Sequence, residues 1–420
     1  MLKRLDVQYG SMLAISEESF RLAERPHSIM RLENRTKASI DTYLQAQRTS
    51  PLQSQSVAWT NEEIRAPNIS DAGTVLALAQ MCNNAYIEIP GTEDWYDVTT
   101  GPYNTTGAFG WEEDGLRGRV YTDQKNETVI ITIKGTSFGL FGNSATGSND
   151  KTNDNLLFSC CCARVSYLWP TVCDCYTGTY SCNQTCLEES VTKEDRYYQA
   201  ALNIYYNVSA MYPDADIWMS GHSLGGAMAS LVGLTFGLPA VTFEAPGDRL
   251  PSERLHLPLP PGMPASKSAI WHFGHTADPI FMGVCNGPSS PCWLGGYAFE
   301  SMCKTGLECV WDTVTDKGWR VSLRKHGISY VINEVVSQYS NVPTCVAQDD
   351  CVDCYNWNFS KGYDPPPKST LLSSSRSIPL TTATPSKSNV TPTQTGAPKE
   401  PEKKCLKRNF LGWCQKWEDG

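Results

Sequence analysis

The sequence predicts an α/β fold with a mainly parallel central sheet, a Cys-rich insert and a disordered C-terminal tail. Three observations lead there. Apolar runs of strand length alternate with segments of helical period across the middle of the chain. "VIITI", Val129 to Ile133, is β-branched and nearly continuous, as in strands buried on both faces. In "IWMSGHSLGGAMASLV", Ile217 to Val232, a short strand runs through one serine into a helix-forming segment.

Residues 1–57 are polar and mixed in charge, with one helical stretch around Asn34 to Gln47, and read as a loosely attached extension. The main domain is expected over 58–361. "DAGTVLALAQMCNNAYIE" has apolar residues at helical spacing behind Asp71, a suitable cap. "GRVYTDQKNETVIITIKGTS" reads as two strands joined by a turn at Asp123 to Glu127. Residues 138–190 form a Gly-, Asn- and Cys-rich insert carrying the apolar "NLLFSCCCARVSYLW". "KEDRYYQAALNIYYNVSAMYP" is a long helix ending before Pro213, and "GGAMASLVGLTFG" is a helix closed by Gly237. "PAVTFEAP" and "AIWHFGH" are further strands, and "GISYVINEVVSQY" is a helix. Residues 362–404 are Ser/Thr/Pro-rich and cannot bury a core, which predicts a disordered linker. Residues 405–420 form a short terminal segment in which Cys405 and Cys414 are spaced to close a loop.

The net charge of −9 argues against a nucleic-acid partner, because neutralising phosphates takes clustered Lys and Arg. Seventeen cysteines are the strongest compositional signal. Sequons begin at Asn34, Asn68, Asn104, Asn126, Asn183, Asn207, Asn358 and Asn389. Together they predict a lumenal or secreted chain with disulfides. The opening "MLKRLDVQYGSMLAIS" has no apolar core of signal length, so either a leader or anchor precedes it, the reading that cysteine and sequon density favours, or the chain is intracellular with reduced thiols. The odd cysteine count leaves at least one thiol outside intrachain pairs.

Gly221-His222-Ser223-Leu224-Gly225 matches the Gly-x-Ser-x-Gly turn that lifts a serine hydroxyl clear of a strand end. Small residues behind it, Gly226, Ala227 and Ala229, let helix and strand approach. Such a serine needs a base, and the base an orienting acid. In α/β-hydrolases the chain order is Ser, then Asp or Glu, then His. Of six histidines, His27 lies in the extension, His222 within the turn, His256 in a Pro-rich loop, and His272 and His275 flank a strand. His326, late in the chain and just before a helix, is the candidate base. Asp278, just past a strand in "FGHTADPIF", is the candidate acid, and Asp248 in "APGDRL" is its rival. Oxyanion donors are expected at the backbone N–H of Leu224 and of Thr136 in "VIITIKGTSFG", with the Thr136 hydroxyl adding a further bond. The chemistry calls for no metal and no cofactor. Cys173-x-Cys175 and Cys182-x3-Cys186 do not fit a paired Cys-x-x-Cys metal site.

In this order, "KGTS", "MSGHSLGGAMASL", "HTADPI" and "RKHGISYVI" resemble the class 3 lipase fold of filamentous-fungal triacylglycerol lipases, an α/β-hydrolase fold. "APNISDAGTVLALAQMCNNAYIE", the Cys-rich segment, "FEAPGDRLPSERLHLP" and "CVDCYNWNF" are similar to one branch, the fungal autophagy-related vacuolar lipases. The resemblance covers roughly Leu5 to Phe359. It implies a glycosylated lipase that breaks up autophagic-body membranes, reaching the vacuole lumen through multivesicular bodies on a single N-terminal anchor. The family's catalytic residues fall on Ser223, Asp278 and His326. The expected partners are membrane lipids: glycerolipids and phospholipids, with phosphoinositides among the candidates.

A lipase working at a lipid surface commonly covers its serine with an amphipathic lid. The insert offers Phe138, Leu140, Phe141, Leu156, Leu157, Phe158 and Trp169 for that role. Two other readings compete with the lipase: a lipid-binding pseudoenzyme without turnover, and a general serine esterase or peptidase.

Overall fold

The computed structural model describes residues 22–49, 57–92, 94–98, 103–111, 115–137, 146–165, 169–361, 405–408 and 414–417. The expected linker at 362–404 and the lid candidates Phe138, Leu140 and Phe141 lie outside the described residues.

The chain opens with β1 (Glu24–Leu32), α1 (Lys37–Thr49), β2 (Trp59–Pro67) and α2 (Ala72–Asn84). Then come β3 (Tyr103–Phe109), β4 (Gly118–Asp123), β5 (Thr128–Ile133) and α3 (Gly147–Leu157). β6 (Tyr176–Gly178), β7 (Ser181–Asn183), α4 (Gln184–Val191) and α5 (Tyr197–Met211) complete the insert and lead back to the sheet. β8 (Asp216–His222), α6 (Leu224–Phe236), β9 (Ala240–Phe243), α7 (Arg249–Arg254) and β10 (Ile270–His275) follow. β11 (Leu307–Trp311), β12 (Cys345–Val346) and β13 (Asn358–Ser360) end this part.

The main sheet has eight strands in the order β12-β11-β10-β9-β8-β5-β4-β3. β5, β8, β9, β10 and β11 run parallel, and the flanking pairs are antiparallel. Side chains alternate across it. Ile131, Ile133, Ile217 and Met219 join one buried cluster with α5 and α6. Ile130, Trp218, Val241 and Phe273 join a second with α2 and Ile328–Val336. Each such side chain contributes about 1.5–3 kcal/mol by leaving water. Every residue of α6 is buried, which is why that helix is apolar throughout rather than amphipathic. Gly237, at φ 62, closes it in the left-handed conformation. Parallel register brings the carboxyl ends of β5, β8, β9 and β10 to one edge, where ligand sites of such sheets form.

Three expectations need correction. The segment before residue 57 is not a loose extension from Leu22 onward. β1 pairs with β2 along its length, and Leu32, Ile40 and Leu44 enter the core. Its polar composition conceals this because a surface ribbon is anchored by single apolar residues, here Ile29 and Leu32. Leu156, Leu157 and Phe158 are core residues rather than lid residues. The insert around them is braced by Cys161–Cys182, Cys162–Cys173 and Cys175–Cys186, and Cys160–Cys354 ties it to the end of the domain. Finally, "GISYVINEVVSQY" is not one regular helix: it holds a short α-helix, Ile328–Val331, and then a π turn, Ile332–Val336.

Cys285–Cys292, Cys303–Cys351 and Cys309–Cys345 complete the disulfides among the described residues, and Cys82 is a buried free thiol. Asn34, Asn126, Asn207 and Asn358 are exposed. Among the described residues no helix is long and apolar enough to cross a membrane. In the separate terminal unit, Cys405–Arg408 pairs antiparallel with Cys414–Trp417.

Candidate active site

β8 is an interior strand of the sheet, and its last residue hands the chain to Ser223. Ser223 sits at φ 56 and ψ −129, a conformation that costs a side-chain-bearing residue about 1–3 kcal/mol. The chain doubles back so tightly that only glycine fits beside it. A Cβ on Gly221 would lie 2.4 Å from the Gly225 carbonyl oxygen, and one on Gly225 would lie 2.2 Å from that of Ile133.

Residues far apart in sequence converge on this turn. Ser223 Oγ is 2.8 Å from His326 Nε2, and His326 Nδ1 is 2.7 Å from Asp278 Oδ2. A carboxylate only accepts, so the proton sits on Nδ1 and Nε2 accepts from the serine hydroxyl. The other Asp278 oxygen accepts the Ile280 N–H at 2.9 Å. All three side chains are buried. Burial pushes the Asp278 carboxyl upward, but the charge and hydrogen bond of His326 and a hydrogen bond from Glu244 outweigh it and hold it at about 2. It therefore stays ionised beside the imidazole.

The rival residues are placed elsewhere. Asp248 accepts from Thr305 N–H and Oγ1, at 2.8 and 2.5 Å, and faces His272. His256 pairs with Glu188, and His27 packs edge-on against Trp271. His275 Nε2 donates to the Lys325 carbonyl at 3.0 Å.

His222 points away from the Ser223 hydroxyl into a chain of its own. Its Nε2 donates to the His326 carbonyl at 2.7 Å, which leaves Nδ1 to accept from Tyr86 Oη at 2.6 Å. Tyr86 Oη in turn accepts the Gly135 N–H at 2.9 Å. This chain ties the loop after β5 to the loop carrying His326. Burial lowers the His222 imidazole to about 3, with the His326 charge adding to it, so the ring stays neutral.

The Gly135 N–H is thus engaged. Among the described residues the Thr136 and Leu224 N–H groups have no acceptor. The Thr136 hydroxyl, expected to reach the oxyanion, instead donates to Asp154 Oδ2 at 2.6 Å. Burial pushes the Asp154 carboxyl well above its usual range. Beside it, buried Lys134 lies 3.5 Å from Asp150, which also accepts from Thr146 Oγ1, Ser137 N–H and Tyr197 Oη. The loop after β5 is therefore braced from below. Tyr86 and Glu244 lie in stretches that carry the family resemblance, yet nothing in the sequence assigns them, or Asp154, a role at the site. Only the fold brings them here.

An elbow serine at the end of an interior strand, with Asp and His arriving later in the chain, defines an α/β-hydrolase. A Tle-like phospholipase domain matches residues 175–255. The chain is 49% identical over 407 residues to "Putative lipase ATG15" of Saccharomyces cerevisiae, covering 95% of this chain and 76% of that protein. It is 52% identical over 349 residues to the protein of the same name from Yarrowia lipolytica, covering 82% and 63%. The chain belongs to the ATG15 lipase family, a family of lipase- and phospholipase-like hydrolases. Lip2 lipase of Yarrowia lipolytica overlaps 57% of this chain and 77% of its own at TM-score 0.33 and 18% identity. Lipase II of Rhizopus niveus overlaps 61% and 92% at 0.32 and 17%.

Proposed function

We propose that this protein is a serine lipase hydrolysing acyl esters of membrane glycerolipids and phospholipids. The observation that carries the reading is the continuous hydrogen-bonded path from Ser223 through His326 to Asp278 in a member of a lipase family. His326 takes the Ser223 proton as the hydroxyl attacks the ester carbonyl, and Asp278 stabilises the imidazolium that forms. The Thr136 and Leu224 N–H groups hold the oxyanion. Collapse of the tetrahedral intermediate expels the alcohol and leaves an acyl-enzyme. Water activated by His326 then releases the fatty acid and restores the serine. No step calls for a cofactor.

The setting we propose is the vacuole lumen, reached through multivesicular bodies, with autophagic membranes as the substrate surface. Seven disulfides and four exposed sequon asparagines among the described residues support an oxidising, glycosylating route. The test is lipid analysis after incubating purified protein with mixed membranes, wild type beside Ser223→Ala. Release of fatty acid by the wild type alone is expected, and full turnover by the variant would refute the reading.

A further inference from the structure

Glu244 is the residue this reading leaves unexplained. It follows β9 at the same sheet edge, is fully buried, and holds φ 47, a left-handed conformation that favours glycine. Keeping a glutamate there is costly, and such strain collects at functional sites. One of its oxygens accepts the His275 N–H at 3.4 Å; the other is buried with no hydrogen-bond partner, 3.8 Å from His275 Nε2, and the carboxyl faces that of Asp278.

Two buried carboxyl groups in contact do not both ionise without a cation between them. The titratable and charged groups facing Glu244 are Asp278, His275 and Lys304. His275 is no cation: its Nε2 proton goes to the Lys325 carbonyl, and its Nδ1 accepts the Ala277 N–H. The Lys304 ammonium donates to the Phe281 carbonyl at 2.8 Å and lies 3.9 Å from Glu308. Asp278 already has the imidazole, so the shared proton rests on Glu244. Burial, followed by the Asp278 charge, drives the Glu244 carboxyl in the same direction, well above its usual range.

We propose that Glu244 is a positioning residue of the relay: a neutral carboxylic acid that donates its O–H to the Asp278 carboxylate. The bond aims Asp278 at His326 and draws off part of its negative charge. It thereby sets how strongly the acid supports the imidazolium. The inference rests on the Ser223 reading and adds a fourth group to it.

The sign of the effect separates this from a packing role. Removing the donor leaves more charge on Asp278, stabilises the imidazolium, and moves the acid limb of kcat/KM to higher pH. Were Glu244 ionised, removing it would take away a negative charge and move the limb down. The experiment is the pH profile of soluble short-chain ester hydrolysis for wild type, Glu244→Gln and Glu244→Met. Active sites are counted with a serine-directed fluorophosphonate. Gln supplies an N–H donor in place of the O–H, so its limb should overlay the wild type. Met has similar length and no donor, so its limb should rise by ~0.5–1 pH unit. A Met limb that stays or falls, or Gln and Met limbs that move together, would overturn the proposal. Should Glu244→Met not fold, Glu244→Gln decides alone: an unmoved limb supports the neutral acid, and a downward shift refutes it. Wild type that labels normally while the limbs disagree removes this inference only. Wild type that neither labels nor turns over removes the Ser223 reading with it.

Discussion

Gly225→Ala tests the elbow with a single methyl group. The new Cβ would lie 2.2 Å from the Ile133 carbonyl oxygen and 2.6 Å from the Lys134 carbonyl carbon and oxygen. These are backbone atoms of the segment leading into Gly135 and Thr136, and they cannot swing aside like a side-chain tip. Restoring 3.0 Å, the least that real Cβ atoms show, separates α6 from that segment by roughly 0.8–1 Å. The two proposed oxyanion donors sit on opposite sides of this gap, Leu224 on the helix and Thr136 on the loop. A misplacement of about 1 Å costs roughly 100-fold, and losing one donor costs ~100–1000-fold, so kcat should fall by that range. Overpacking should also cost about 1–3 kcal/mol of stability, which a folded, disulfide-bonded domain can survive. Gly233→Ala is the control. Its Cβ would meet the Ile270 Cδ1 tip at 2.8 Å, far along α6 from Ser223, so it should lose stability and keep turnover within about threefold. The assay is short-chain ester turnover per fluorophosphonate-titrated site, beside thermal melting. Gly225→Ala that melts cooperatively and turns over within threefold of wild type would refute the reasoning.

Further consequences are open to measurement. Asp278→Asn keeps the shape but cannot carry the imidazolium or fix the Nδ1 proton, and kcat should drop by about 10⁴ with the melting curve little changed. A loss under tenfold would place the orienting acid elsewhere. The His222 imidazole titrates near 6.5 when unfolded and at about 3 when folded, so only the unfolded chain takes up its proton as pH falls below 6.5. Stability from this group is therefore full above 6.5 and drains progressively on acidification. Relative to His222→Gln, wild type should lose about 2 kcal/mol between pH 6.5 and 5 in denaturant titrations, and parallel slopes would contradict the buried neutral ring. Cys303–Cys351, with a separation of 48 residues, encloses Cys309–Cys345, with a separation of 36, so it closes a further loop of only about 12 residues, and replacing both with serine should cost about 3 kcal/mol. A change under 1 kcal/mol would mean the unfolded chain is constrained in some other way.

Local chemistry was legible wherever backbone geometry demands particular residues. The elbow could be read from its glycines because nothing larger than hydrogen fits at Gly221 and Gly225. The parallel strands could be read from runs such as Val129–Ile133 because both faces are covered. Chain order and strand-end position point to His326 and Asp278; His326 meets Ser223, and Asp278 meets His326.

Tertiary structure decided the rest. β1 has no strand signature in sequence because a ribbon covered on one side needs few apolar residues. Leu156 to Phe158 looked like a lid because hydrophobicity does not say whether a segment faces solvent, lipid or the core. The roles of Tyr86, Asp154 and Glu244 have no local signature, although Tyr86 and Glu244 lie within stretches that carry the family resemblance. Their roles arise from buried contacts with residues 18 to 136 positions away, and a lone tyrosine or carboxyl looks the same in sequence whether it faces water or an Asp. What separates those cases is the partner and the loss of solvent, and both exist only once the sheet edge is assembled.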